Sequence, residues 1–311
     1  MPARRLDDIR AAARRRAIDR RLAVRRFAGT QALAASLDRP IRVAHLTDLH
    51  VGAVTPHAAQ LAAVEAVNAA EPDLVVLTGD YVCHSLDHLD ELDDALRRVA
   101  APMVGVLGNH DHWCGGAAVR RALERAGVEV LANEARVVDV AGQRLQVVGV
   151  DDGRTGHADV ATAVRTADPR LPTLGLSHVP HEADALWDAG VSLVLSGHTH
   201  SGQLAVGRMN ELFLAGLGGH RYIHGLYGCR WGRRHPGAVY VSAGIGAAVM
   251  AVRMGERARR EVAVFELGAL PGDFEEHHAE QDPRPVGRDL ARAELAELRA
   301  RWRTRLGGLR A

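Results

Sequence analysis

The stretch DLVVLTGD, Asp73–Asp80, is where the fold of this chain declares itself. Its apolar run, Leu74 to Leu77, reads as a buried strand, and it closes on a Gly-Asp pair. Working outward, IRVAHL (Ile41–Leu46) is a strand before it and PMVGVLGN (Pro102–Asn109) a strand after it. Between them His57–Ala70 carries Leu61, Val64 and Val67 at helical spacing, Leu86–Val99 reads as a second helix, and Ala117–Ala126 follows as another. This alternation is the βαβ signature of a sheet covered by helices.

Further along the pattern changes. VVDVAGQRLQVVGV (Val137–Val150) is two strands joined at Ala141-Gly142. Helices at Ala158–Arg165 and His181–Ala189 alternate with strands at Thr173–Leu176 and Val191–Leu195. Short strands then dominate: QLAV, ELFLAG, AVYVSAG and EVAVFEL. The expected fold class is α/β, with two packed mixed β-sheets flanked by helices. Residues 1–39 read as an Arg-rich helical arm and 40–268 as the main domain. Residues 269–311 read as an acidic linker and an amphipathic helix with Ala291, Leu295, Leu298 and Trp302 on one stripe.

Composition fits a soluble globular protein, with 47% hydrophobic and 25% charged residues over 311 positions. The net charge of +1 hides an asymmetry. Residues 1–28 hold ten arginines against Asp7, Asp8 and Asp19, a local +7, which leaves −6 for the remainder. Such an arm suits contact with an anionic surface, most simply the inner membrane leaflet, and a grip on nucleic acid phosphates is the alternative. Three scattered cysteines, Cys83, Cys114 and Cys229, form no disulfide framework and point to a reducing compartment. No apolar run reaches the roughly 20 residues of a membrane span. Arg25-Arg26 ahead of Phe27–Leu37 faintly suggests an export signal, but Gly29, Thr30 and Gln31 interrupt the apolar stretch. The expected location is cytoplasmic, peripheral at the inner membrane face.

The polar residues collect where the strands end. Thr47-Asp48-Leu49-His50 follows the first strand, Gly79-Asp80 the second, and Gly108-Asn109-His110-Asp111 the third. Ser177-His178 and Gly197-His198-Thr199-His200 close two later ones. Singly, Asp48 reads as a helix cap, Asp80 as a turn residue, Asn109 as a left-handed position and His178 as a core histidine. Together they put seven metal-competent side chains at the carboxyl edge, where ligands collect in open α/β sheets. Oxygen and imidazole donors without thiolate suit Mn, Fe, Zn or Ni. A carboxylate can bridge two ions. Two ions about 3.5–4 Å apart clamp a phosphoryl group and lower the pKa of a bound water to about 7.

The order D-x-H, G-D, G-N-H-D, lone His, G-H-x-H resembles the calcineurin-like metallophosphoesterase superfamily, from about Ile41 to Leu267. The resemblance implies a four-layer αββα sandwich. It implies two divalent metal ions, manganese favoured, with Asp48, His50, Asp80 and His200 around one and Asp80, Asn109, His178 and His198 around the other. Asp80 would bridge them. His110 would stabilise charge or protonate the leaving oxygen, with Asp111 orienting it. The implied reaction is hydrolysis of a phosphodiester or pyrophosphate by attack of a metal-bridging hydroxide. The implied substrate is a phosphodiester or pyrophosphate, and attachment of the Arg-rich arm to an anionic membrane slightly favours a lipid-linked one over a soluble one. SGHTHSGQ, HRYIHGLYG and VSAGIG look like the bacterial branch of phosphodiesterases and UDP-diacylglucosamine pyrophosphohydrolases, with departures at Ser201 and around Arg253. A nuclease, or a binding module on the same fold without catalysis, are the competing readings.

Overall fold

The computed structural model describes residues 22–202, 219–248, 253–273, 276 and 279–284. One six-stranded sheet runs in the order β1 (Leu22–Ala28), β12 (Arg260–Leu267), β2 (Ile41–Leu46), β3 (Leu74–Thr78), β4 (Met103–Val106), β5 (Val128–Val130). The other runs β10 (Gly225–Gly228), β11 (Ala238–Val241), β9 (Leu193–Ser196), β8 (Thr173–Ser177), β7 (Gln143–Val150), β6 (Glu134–Val140). Both sheets are mixed: β2 to β5 are parallel while β12 meets β2 antiparallel, and β6 and β10 are antiparallel edges on a parallel centre.

The continuous apolar runs have a simple cause, since each central strand is covered on both faces. In β3, Val76 points inward with Val43, Val104 and Phe265, in the layer that also holds Val147, Leu174, Leu195 and Tyr240 of the second sheet. Its neighbours Val75 and Leu77 face the other way, among Ala63 and Val67 of helix His57–Ala69, Leu92 and Leu96 of helix Leu89–Leu96, and Val119 and Leu123 of helix Asn109–Arg125. The second sheet turns Val148, Val194 and Val239 toward Ala163, Leu186 and Trp187. Helix, sheet, sheet, helix is the four-layer sandwich expected. The β6–β7 hairpin turns at Ala141 (φ 50°) and Gly142 (φ 73°), the two left-handed positions of a type I′ turn.

Several expectations are corrected. Leu22–Ala28 is not part of a helical arm: it is β1, parallel to β12, and Phe27 is buried between the sheets. The main domain therefore begins at least as early as Leu22, and residues 1–21 lie outside the described residues. The helix expected at Ala117 starts eight residues sooner, at Asn109, with a break at Gly115 (φ 129°). His181–Ala189 divides into a tight turn, Pro180–Glu182, and a short helix, Ala183–Asp188. The strands β5 and β10 were not anticipated. QLAV, ELFLAG and the helix read from Asp289 to Leu306 lie outside the described residues. In the linker, Glu276 and Glu280 bind Arg230, whose Nη1 also donates to the Ala28 carbonyl at 2.9 Å.

Candidate metal centre

Five strand ends deliver the seven expected side chains. Asp48 and His50 follow β2, Asp80 follows β3, Asn109 follows β4, His178 follows β8, and His198 and His200 follow β9. All are buried except His198, which is partly exposed. The backbone here is unusual. Asp48 (φ 51°), His50 (42°), Asp80 (53°), His198 (73°) and His200 (50°) all sit in the left-handed region. Each such non-glycine residue costs on the order of 1 kcal/mol, a strain that persists where packing over-determines it and that gathers at functional sites. The motif glycines follow from crowding. A Cβ on Gly197 would collide with the Asp48 carboxylate, and one on Gly108 with that of Asp80.

The donor atoms fall into two groups that share one oxygen. In the first, His50 Nε2 lies 3.0 Å from His200 Nε2 and 3.5 Å from Asp80 Oδ2, and His200 Nε2 lies 3.3 Å from Asp48 Oδ1. One ligand atom from each of these four residues falls within 4.8 Å of the others. In the second, Asn109 Oδ1 lies 3.1 Å from His178 Nε2 and 2.9 Å from His198 Nδ1, while Asp80 Oδ2 is 3.3 Å from His178 Nε2.

Two tautomers are set from outside the centre. His178 Nδ1–H donates to the Thr78 carbonyl at 2.7 Å and His50 Nδ1–H to the Val82 carbonyl at 3.2 Å, which turns both Nε2 lone pairs inward. Ring nitrogens and side-chain oxygens thus converge on one another. A cation satisfies such a donor set, and the oxygen and imidazole chemistry fits a divalent ion. No signal in the side-chain sequence marks Thr78 or Val82 for this task, because both act through their carbonyls.

Burial dominates the titration of the centre. It pushes Asp48 up to about 7 and His50 down to about 3, and holds His198 and His200 well below the usual imidazole range. Burial also opposes charge on His178, but the Asp80 carboxylate outweighs it and raises His178 to about 10. Asp80 stays ionised: desolvation works against it, and His178 and His50 more than offset that. Metal binding at this set therefore displaces the proton of His178 and any proton held by Asp48.

The proposed acid sits beside the first group, with the His110 ring 4.8 Å from that of His50. It lies in the helix Asn109–Arg125, and its backbone N–H donates to Asp80 Oδ1 at 2.9 Å. One expectation about it changes. Asp111 does not hold the His110 ring. Its carboxylate accepts from the N–H groups of Tyr81, Val82 and Gly108, and His110 Nδ1–H donates instead to the Cys83 carbonyl at 2.7 Å. Asp111 is buried, which lifts its carboxyl to about 7.

Other residues noted in the sequence divide between roles. His84 stands 5.5 Å from the His110 ring and His220 5.6 Å from that of His198. His112 is turned to Asp151 at 2.8 Å and stacks on His157. In the aromatic stretch after the ligands, Tyr222 and Tyr227 are core residues and Arg221 pairs with Asp184 at 2.6 Å. Arg253 Nη2 lies 3.1 Å from His200 Nδ1.

The calcineurin-like phosphoesterase family profile matches residues 41–202, more than half of the chain and all seven donor residues. The chain belongs to the calcineurin-like metallophosphoesterase family. Relatives agree with that placement. This metallophosphoesterase is 32% identical to the phosphodiesterase YaeI of Escherichia coli, over 73% of its own length and 82% of YaeI. It is 31% identical to the metallophosphoesterase YkuE of Bacillus subtilis, over 65% of its length and 70% of YkuE. Among solved structures, a dimetal phosphatase from Danio rerio aligns with TM-score 0.35 and 13% identity, over 53% of this chain and 83% of that one. The metallophosphoesterase is a metal-dependent phosphoric ester hydrolase, and its Asp/His cluster is the candidate divalent-metal site. Among the described residues no helix is long and apolar enough to cross a membrane.

Proposed function

We propose that the centre holds two divalent ions, manganese favoured, and hydrolyses a phosphodiester or pyrophosphate bond. The observation that carries this is the position of Asp80 Oδ2, 3.5 Å from His50 Nε2 and 3.3 Å from His178 Nε2, between the two donor groups. Asp48, His50 and His200 hold one ion with Asp80; Asn109, His178 and His198 hold the other with Asp80. When bound, the pair supplies Lewis acidity to the phosphoryl oxygens and an activated water for in-line attack. The chain's own contribution is position. Thr78 and Val82 keep the imidazoles aimed, and Asp111 fixes the loop that carries Asp80. His110, its Nδ1–H tied to Cys83, presents Nε2 on the leaving-group side to stabilise charge or pass a proton to the departing oxygen.

Residues 1–21 carry eight arginines against three aspartates, a net +5 that supports reversible contact with an anionic membrane and access to lipid-linked diesters. The test is a metal-reconstituted screen across bis-p-nitrophenyl phosphate, nucleotide sugars, cyclic nucleotides and single-stranded DNA, with bound metal counted in parallel. Turnover of diesters with two ions per chain is the expected result. A single ion per chain in the active protein overturns the two-ion reading.

A further inference from the structure

The centre opens past His110 onto an indole. Trp113 stands three residues beyond His110 on the same helix, so the two side chains are neighbours on one face. Their rings meet edge to face at 5.1 Å, one ring step farther from His50 than His110 itself. Trp113 is 62% exposed, ahead of Leu270, Met254, Val24 and Val137, and it is the one ring in that group of exposed large hydrophobics among the described residues. The other described tryptophans are engaged: Trp187 Nε1–H donates to Ala238 and Trp231 Nε1–H to Gly29. Trp113 fills no core and makes no hydrogen bond to the described residues. Its ring is left to solvent beside the residue placed at the leaving group.

We infer that Trp113 is a substrate-binding residue that stacks on an aromatic ring of the leaving alcohol, selecting phosphoric esters with such a ring over those with small alkyl groups. This rests on the proposed placement of His110 on the leaving-group side. Indole is suited to the task because an exposed aromatic face gains both apolar contact and ring stacking when a flat ring covers it. A purely structural Trp would pack against its own chain, and among the described residues the one ring it touches is His110.

The test compares Trp113→Ala and Trp113→Phe with the wild type on diphenyl phosphate and bis(2,2,2-trifluoroethyl) phosphate. Each substrate is its own reference, so the different acidities of the two alcohols cancel. Trp113→Ala is expected to raise KM for the aromatic diester roughly three- to tenfold, with kcat held, and to leave KM for the fluoroalkyl diester unchanged. Trp113→Phe restores most of the loss. Calorimetry of the metal-loaded protein with phenylphosphonate and methylphosphonate, neither of which is hydrolysed, supplies a binding readout. Phenylphosphonate binds tighter to the wild type, and the ratio collapses in Trp113→Ala. Equal KM changes on both diesters, or an unchanged phosphonate ratio, overturn the inference. Absence of turnover on every diester would sink the hydrolytic reading of the centre instead, while the phosphonate ratio still decides the stacking.

Discussion

Two buried clusters of charge and imidazole lie on either side of the Ser242–Gly246 loop, and they are built on opposite rules. Around Glu261 every contact pairs a donor with an acceptor. Its carboxylate accepts from Tyr240 Oη at 2.7 Å and the Ala243 N–H at 2.9 Å, and meets Arg25 Nε at 2.5 Å and His224 Nε2 at 3.2 Å. Around Asp80 ring nitrogens and side-chain oxygens converge on one another, with Asn109 Oδ1, His178 Nε2 and His198 Nδ1 crowded together. The loop joins the two: Ala243 serves Glu261, while the Gly246 N–H donates to the Asp48 carbonyl at 2.6 Å. Burial and charge are common to both. What separates an internal ion pair from a cation site is whether the groups pair off one by one or gather around a shared point.

The sharpest way to break that contrast is Asp80→Asn. One substitution weakens both donor groups, so bound metal is expected to fall below one ion per chain, and turnover to fall further than after loss of a terminal ligand such as His198. Elemental analysis of the purified variant decides it; two retained ions with near-normal turnover would make Asp80 an ordinary buried acid like Glu261. Next comes His110→Asn, which replaces none of the seven proposed ligands. Metal content stays, and turnover drops by roughly 10²–10⁴-fold, least for substrates with good leaving groups. An equal loss on good and poor leaving groups would leave charge stabilisation as the sole role of His110.

Glu261→Gln probes the other cluster. Removing the charge leaves buried Arg25 with only the exposed Glu256 carboxylate, 3.5 Å from its Nη2, for an expected loss of about 3 kcal/mol in urea unfolding, with metal content per folded chain unchanged. The acid limb sharpens this. Burial alone would raise the Glu261 carboxyl, but His224 and Arg25 prevail and hold it well below its ordinary 4.5. The folded state therefore binds that proton less readily than the unfolded chain. This stabilisation is complete above about pH 4.5 and is lost as pH falls below it, a slope that Glu261→Gln should flatten in the metal-free protein. Metal loss from the folded variant would mean that the two clusters are not independent. The smallest effect is expected from deleting residues 1–21. Activity on a small soluble diester is unchanged, while sedimentation with anionic liposomes is lost; retained sedimentation would end the membrane proposal.

The parts legible in the sequence are those whose cause is local. A strand closed on both faces leaves an apolar run, and a ligand at its end leaves a motif, so β2, β3, β4, β8 and β9 and the seven donors could all be read from short stretches. The strand β1 could not, because LAVRRFA carries its evidence at the far end of the chain. Arg25 is a buried strand residue whose partners, Glu261 and Glu256, lie more than 230 positions away, and Arg26 and Arg42 share Glu266 in the same fashion. Asp111 differs from its expected role for a related reason. The resemblance implies that it orients His110, whereas starting a helix at Asn109 swings the carboxylate onto the Tyr81 and Val82 amides 29–30 positions back.

The pairing of β1 with β12 also bears on how the protein is made. Leu22 pairs with Arg260, and β12 is inserted between β1 and β2. A ribosome delivering the chain from its amino end will have released all seven donors long before β12 emerges, and until then β2 presents a bare edge and β1 has nothing to pair with. Contacts of such sequence separation close late and slowly. The nascent chain thus carries the candidate metal-site side chains on an unfinished sheet, and the first sheet is completed only when Arg260–Leu267 slots home.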